Sequence, residues 1–384
     1  MNKFLLSALL CLLASSPICL KAETVPAIDN RITFVGRIAV EGSSVSFDWS
    51  ATYFRVAFAG KSLTMKASDL KFGATDEAAA DKLHNYYAVW IDAPTSTEPH
   101  RIIEVKPGEN IIELVDPNYL KRSRRSVHEV IVQRRTEGEQ GRTTIHEFTT
   151  DGQFFQASPL AERQLEFIGD SYTCGYGVDA SSKSERFSPE TENASRSYAA
   201  IAARYFGADY IAVAHSGMGI ARNYNSKYPN WYMADRYLQT FDMDSTQATR
   251  WNAASYEFRP AMTIIYLGAN DFSVFMQPKY ESFRDHYYRL LKSIKANYGE
   301  DHPVLCVATK NHEYLGNYVR DLVKNSGMKN IDYLVYCPIV HNHTNEDLGA
   351  DFHPNYNGHQ KLAYSLIPYI ATITGWGLQD MPVK

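Results

Sequence analysis

The sequence predicts two domains of different class. Residues 30–150 are expected to form an antiparallel β-sandwich, and residues 155–384 an α/β domain with a mainly parallel sheet flanked by helices. Three observations carry that expectation. Apolar residues recur with a period of two in the first segment, apolar runs alternate with helical stretches in the second, and the pattern changes at about residue 155. The length of 384 residues, with 45% hydrophobic and 21% charged content, suffices for two buried cores and is too apolar for a disordered chain.

The chain opens with Met1-Asn2-Lys3, then the apolar run Phe4 to Leu13, then small residues up to Ala22. A basic start, a short apolar segment and a small residue at the end predict a secretory signal peptide over residues 1–22, hence a secreted or periplasmic protein with no transmembrane segment after cleavage. Removing Lys3 and Lys21 takes two from 39 basic residues against 43 acidic ones. That mild acidic excess argues against nucleic acid or an anionic membrane as partner. Lys121, Arg122, Arg124 and Arg125 form a local basic exception, expected to be a solvated loop.

In the first domain Val45, Phe47 and Trp49 alternate with Ser46, Asp48 and Ser50, and Phe54, Val56 and Phe58 with Arg55 and Ala57. Tyr86 to Ile91, Ile102 to Val105, Ile111 to Leu114 and Val127 to Val132 are further strands. Gly60-Lys61, Pro107-Gly108 and Asp116-Pro117 read as turns, and Thr75 to Leu83 is helix-prone. Past Gly152 the expected strands are Leu165 to Ile168, Tyr210 to Ala214, Met262 to Leu267, Val304 to Ala308 and Tyr333 to Tyr336. Ser197 to Phe206, Tyr280 to Tyr298, Gly316 to Asn325 and Asn357 to Thr374 are the expected helices. In the last of these Leu362, Leu366, Ile367 and Ile370 share a face.

Open parallel sheets place reactive groups at the C-terminal ends of their strands. The first strand runs into Gly169-Asp170-Ser171, which exposes a hydroxyl that is a nucleophile only once a base takes its proton. The second ends in His215-Ser216-Gly217, where a glycine lets a substrate approach a main-chain N–H. Asn270 follows the third, placed to donate a carboxamide N–H to a developing oxyanion. His353, before the final helix, offers a general base. Each residue alone is more simply a cap, turn or loop residue; the four in this order are harder to dismiss.

Gly169-Asp170-Ser171, Gly217, Gly268-Ala269-Asn270-Asp271 and His353-Pro354 resemble the four motif blocks of the SGNH (GDSL-type) hydrolases. Tyr172-Thr173-Cys174-Gly175-Tyr176-Gly177 narrows the resemblance to carbohydrate esterase family 2. Gly36-Arg37, Phe47-Asp48-Trp49, Trp90-Ile91-Asp92 and Arg135-Thr136-Glu137 resemble that family's jelly-roll domain, so the similarity spans nearly the whole mature chain. It implies a jelly-roll sandwich before an SGNH-hydrolase domain. It also implies a serine esterase that removes O-acetyl groups from plant cell-wall polysaccharides such as xylan and glucomannan, with a leaning towards 6-O-acetyl sugars and no metal or organic cofactor.

Carried over by residue, Ser171 is the nucleophile, His353 the base, and the Ser171 and Gly217 N–H groups with the Asn270 side chain form the oxyanion hole. The superfamily's aspartate stands three residues before the histidine, where this chain has Ala350. Asp351 is left as a possible third member, against a Ser-His dyad oriented by a backbone carbonyl. Phe352 is expected to wall the acetyl methyl.

Three other readings stand beside this one. His341, His343, His353 and His359 crowd together with Asp347 and Asp351, as zinc ligands do, but that reading leaves Ser171 and Asn270 unexplained. A non-catalytic carbohydrate-binding protein would draw on the 26 tyrosines. An esterase for another acylated glycan or a lipid would keep the mechanism. Cys174 is expected to be a packed thiol, and whether Cys306 and Cys337 pair is open. The sequence does not fix the oligomeric state.

Overall fold

The computed structural model describes residues 22–71, 83–227, 229–244, 246, 248–274, 276–309, 313–336 and 346–384. Residues 1–21 of the expected signal peptide, all but the last residue of the stretch from Thr75 to Leu83, and Cys337, His341 and His343 lie outside them.

Two six-stranded antiparallel sheets make the front domain. One runs Ala39–Glu41, Ser44–Phe47, Arg142–Thr150, Leu63–Leu70, Gly108–Glu113, with Glu23–Pro26 paired to Arg142–Thr150. The other runs Gln153–Phe155, Tyr53–Ala59, His128–Arg134, Asn85–Ile91, Arg101–Val105, with Thr33–Val35 on Tyr53–Ala59. Val45, Phe47, Phe54, Val56, Phe58, Val89 and Val132 meet in the core between them.

Two central strands, Leu63–Leu70 and Arg142–Thr150, were not singled out by periodicity. Their inward positions include Asp69 and Thr143, which satisfy one another through a 2.8 Å bond, and the register shifts between Ile145 and Glu147. Asp116-Pro117 is not a plain turn: Asp116 caps a helix, Pro117–Arg122, accepting Asn118 N–H at 2.8 Å. Lys121 and Arg122 therefore sit in a last helical turn rather than a loop, and both are exposed.

The second domain carries a five-stranded parallel sheet in the order Asp209–Ala214, Gln164–Gly169, Met262–Tyr266, Val304–Ala308, Ile331–Val335. Successive side chains face opposite sides, so Phe167, Ile264 and Leu305 pack on helices Tyr198–Tyr205 and Tyr356–Thr374. Ile168, Ile265 and Cys306 pack on Tyr280–Tyr298 and Glu313–Lys324. The sheet grows to both sides of Gln164–Gly169, which puts the topological switch point at the residues after Gly169. No helix among the described residues is long and apolar enough to cross a membrane.

The domains are joined by buried polar contacts. Arg37 lies 3.4 Å from Glu166 in the inner strand Gln164–Gly169, with both side chains almost fully enclosed. Arg37 also donates to the carbonyls of Tyr237 at 2.5 Å and Gln239 at 3.0 Å. Trp49 Nε1 donates to Thr240 O at 2.9 Å, and Asp48 accepts Asp242 N–H at 2.6 Å.

Candidate active site

Strand Gln164–Gly169 hands over directly to a short helix, Ser171–Cys174. Asp170 caps it, accepting Tyr172 N–H at 3.2 Å, and Gly175 ends it in the left-handed region at φ 76°. Gly169 has no room for a side chain: a Cβ there would overlap Thr173 Oγ1. The turn is sharp as a result, and Ser171 lines a cleft of about 730 Å³ together with Gly217, Asn270, Asp351, Phe352 and His353. The six residues expected from the sequence thus share one cleft.

His353 Nε2 stands 2.9 Å from Ser171 Oγ. The half-buried imidazole packs on Tyr176 at 4.2 Å between centroids with the planes tilted by 30°, and Tyr176 in turn stacks on Phe187 at 4.3 Å. Tyr172 meets the imidazole edge-on at 5.5 Å. Loss of hydration lowers the histidine from 6.5 to about 4, so the ring is neutral at working pH.

Asp351 reaches His353 through its main chain, not its carboxylate. Its carbonyl lies 3.2 Å from His353 Nδ1. Its carboxylate instead accepts from Tyr176 OH at 2.9 Å, Phe187 N–H at 3.0 Å and Arg186 at 2.8 Å. Those bonds, against an opposing effect of burial, hold the carboxyl below its usual range. Of the two arrangements left open by the sequence, this geometry corresponds to the one in which a backbone carbonyl orients the histidine.

Gly217 takes φ 78°, and among the described residues neither its N–H nor that of Ser171 has a protein acceptor. Asn270 borders the cleft, but its Nδ2 donates to Asp170 Oδ2 at 3.1 Å and Met218 O at 2.8 Å. Reaching an oxyanion therefore requires exchanging one of those bonds. Next to it the Asp271 carboxylate accepts the N–H groups of Ile220, Ala221 and Arg222 at 2.7–2.9 Å, which fixes the loop after Gly217. Burial pushes Asp170 and Asp271 up to about 7.

The described members of the histidine cluster serve other ends. His359 Nδ1 accepts Tyr198 N–H at 3.1 Å, and Asp347 pairs with Lys361 at 2.7 Å. Cys174 and Cys306 are buried free thiols. Sequence reasoning missed the roles of Tyr176, Arg186, Phe187 and Glu137. Tyr176 and Glu137 stood in quoted motifs with no role attached, and Arg186-Phe187 carried no local signal.

Residues 34–159 match the carbohydrate esterase 2 N-terminal domain, and residues 167–361 match the GDSL-like lipase/acylhydrolase family. An acetylxylan esterase / glucomannan deacetylase of Cellvibrio japonicus is 27% identical over 87% of this chain and 89% of its own length. The cellulase/esterase CelE of Acetivibrio thermocellus is 31% identical over 65% of this chain, which spans only 30% of that larger protein. Among solved structures, a family two carbohydrate esterase from Clostridium thermocellum in complex with cellohexaose is 26% identical, with a TM-score of 0.76 over 90% of this chain and 100% of that one. With the second domain matched over half the sequence and the first matched beside it, the chain belongs to the GDSL-like lipase/acylhydrolase family of ester hydrolases, in the two-domain form of the family 2 carbohydrate esterases.

Proposed function

We propose that this protein is a serine esterase that removes O-acetyl groups from plant cell-wall polysaccharides or their oligosaccharides, xylan and glucomannan among them. The observation that carries the reading is the 2.9 Å approach of His353 Nε2 to Ser171 Oγ at the sheet's switch point. The substrate class is supported by the Cellvibrio japonicus relative and by the cellohexaose held in the Clostridium thermocellum structure. A leaning towards 6-O-acetyl sugars, and export through the leader at residues 1–22, belong to the same reading.

Ser171 Oγ attacks the acetyl carbonyl carbon while His353 Nε2 takes the hydroxyl proton. The carbonyl π electrons move to oxygen, where the Ser171 and Gly217 N–H groups and the Asn270 amide receive them. Collapse breaks the bond to the sugar oxygen, which leaves with the proton from His353. Water, deprotonated by the same imidazole, then releases acetate and restores Ser171. The Asp351 carbonyl keeps Nδ1 protonated and Nε2 free to act as base. Phe352, 62% exposed on the rim, offers an apolar face to the acetyl methyl or the sugar ring.

Acetate release from acetylated xylan and glucomannan tests the reading. The mature protein should release it, and folded Ser171→Ala should lose at least three orders of magnitude in kcat. Equal release by both proteins would refute a serine mechanism.

A further inference from the structure

The front domain sends one carboxylate to the main chain of the active site. After strand His128–Arg134 the chain turns, and the fully buried Arg134 braces that turn. It donates to the carbonyls of Thr136 at 2.8 Å, Glu137 at 2.8 Å and Gly141 at 2.7 Å. The buried Glu137 thereby points across the domain boundary. Its Oε2 accepts Ser216 N–H at 2.7 Å and lies 3.8 Å from Cys174 Sγ. One carboxylate so touches both the helix that presents Ser171 and the residue before Gly217.

The surroundings hold that carboxylate in place. Its own N–H donates to Glu192 Oε2 at 3.2 Å. The neighbouring Gly138 packs so closely on Asp242 that a Cβ would overlap it. Asp242 lies 2.7 Å from Nδ1 of the buried His215, whose Nε2 is 3.3 Å from Glu139. Burial and Arg236 work against a charge on His215, yet Asp242 and Glu139 raise it to about 9, which supplies a cation among these carboxylates. Burial, then the charge of Glu137, pushes Glu192 well up, towards its neutral form.

We propose that Glu137 is a positioning residue for the oxyanion hole: by holding Ser216 N–H it fixes the Ser216–Gly217 peptide so that Gly217 N–H faces the ester carbonyl at Ser171. The proposal rests on the reading of Ser171 and Gly217 given above. An N–H donor whose bond strengthens as the oxyanion forms acts on the transition state more than on substrate binding, so the effect falls on kcat.

The test is steady-state kinetics of the full mature chain on 4-nitrophenyl acetate and acetylated xylo-oligosaccharide, for the parent, Ser171→Ala, Glu137→Ala and Glu137→Gln, with folding checked by circular dichroism and melting. Glu137→Ala should lose about 100-fold in kcat with KM within about threefold. Glu137→Gln keeps an acceptor oxygen for Ser216 N–H and should stay within about tenfold of the parent. Folded Glu137→Ala with parental kcat, or Gln as impaired as Ala, overturns the proposal. If Glu137→Ala fails to fold, Glu137→Asp, whose shorter side chain withdraws the oxygen, should show the same kcat loss, and a parental value there overturns it too. Ser171→Ala separates the levels. Full activity in that variant refutes the serine reading itself, whereas loss there with parental kcat in Glu137→Ala refutes Glu137 alone.

Discussion

A serine hydroxyl gives up its proton only to an imidazole that arrives neutral, and the surroundings of His353 select that form. The Tyr176 face and Tyr172 edge strip water from the ring, and loss of hydration lowers its pKa to about 4. The neutral imidazole is present above that value and is lost as pH falls through it, so under the proposed mechanism kcat/KM should hold level down to about pH 5 and fall away below. A pH–rate profile on the mature protein checks this; an acid limb centred near 6.5 would mean an ordinary solvated imidazole. Ser171 and Gly217 stood out in the sequence because each comes just after a strand, and His353 because it lies just before the last helix. The orientation of Asp351 was not legible, because two residues of chain between a carboxylate and an imidazole permit either direction of approach.

At the scale of the element, the segment before His353 is held in a conformation few side chains choose. Asp351 and Phe352 take φ 47° and 63°, a left-handed pair in non-glycine residues. Three donors to the Asp351 carboxylate, from Tyr176, Arg186 and Phe187, keep it there. The carboxylate therefore acts on the loop rather than on the imidazole. Replacing Asp351 by Asn, which retains acceptor capacity, should lower kcat by about tenfold or less, far short of the ~10⁴ lost when a triad aspartate is amidated. A measured loss of that larger size would restore the carboxylate to a direct role. The sequence pattern pointed to half of the sandwich strands and missed Leu63–Leu70 and Arg142–Thr150 among the rest. There the inward face carries Asp69 and Thr143 and a register shift resets the period, so hydrogen bonding replaces apolarity as the signal.

Across the whole molecule, three of the first domain's four sequence motifs find their explanation in the second domain, while Trp90-Ile91-Asp92 bonds within its own sandwich. Arg37, Asp48, Trp49, Arg135 and Glu137 all bond across the boundary: Arg135 to Asp179 at 2.7 Å, the others as described. None of that pairing is visible in local periodicity, because the partners lie tens to hundreds of residues away. Their energetics are testable at Arg37. Removing it by Arg37→Met strands Glu166 in the inner strand Gln164–Gly169, where Tyr237, Thr263 and Tyr298 bond the carboxylate but none neutralises it. The expected cost is about 3–5 kcal/mol in chemical denaturation, with most of it recovered in Arg37→Met/Glu166→Gln. A single variant within 1 kcal/mol of the parent would show the pair to be dispensable.

These trans-boundary bonds also constrain descent. A recombination joining a foreign sandwich at residues 156–163 would deliver a catalytic half whose Glu166, Asp242 and Ser216 had lost their partners. The exchangeable unit of inheritance is therefore the pair of domains, and modular shuffling should act at its outer ends rather than at the seam within it.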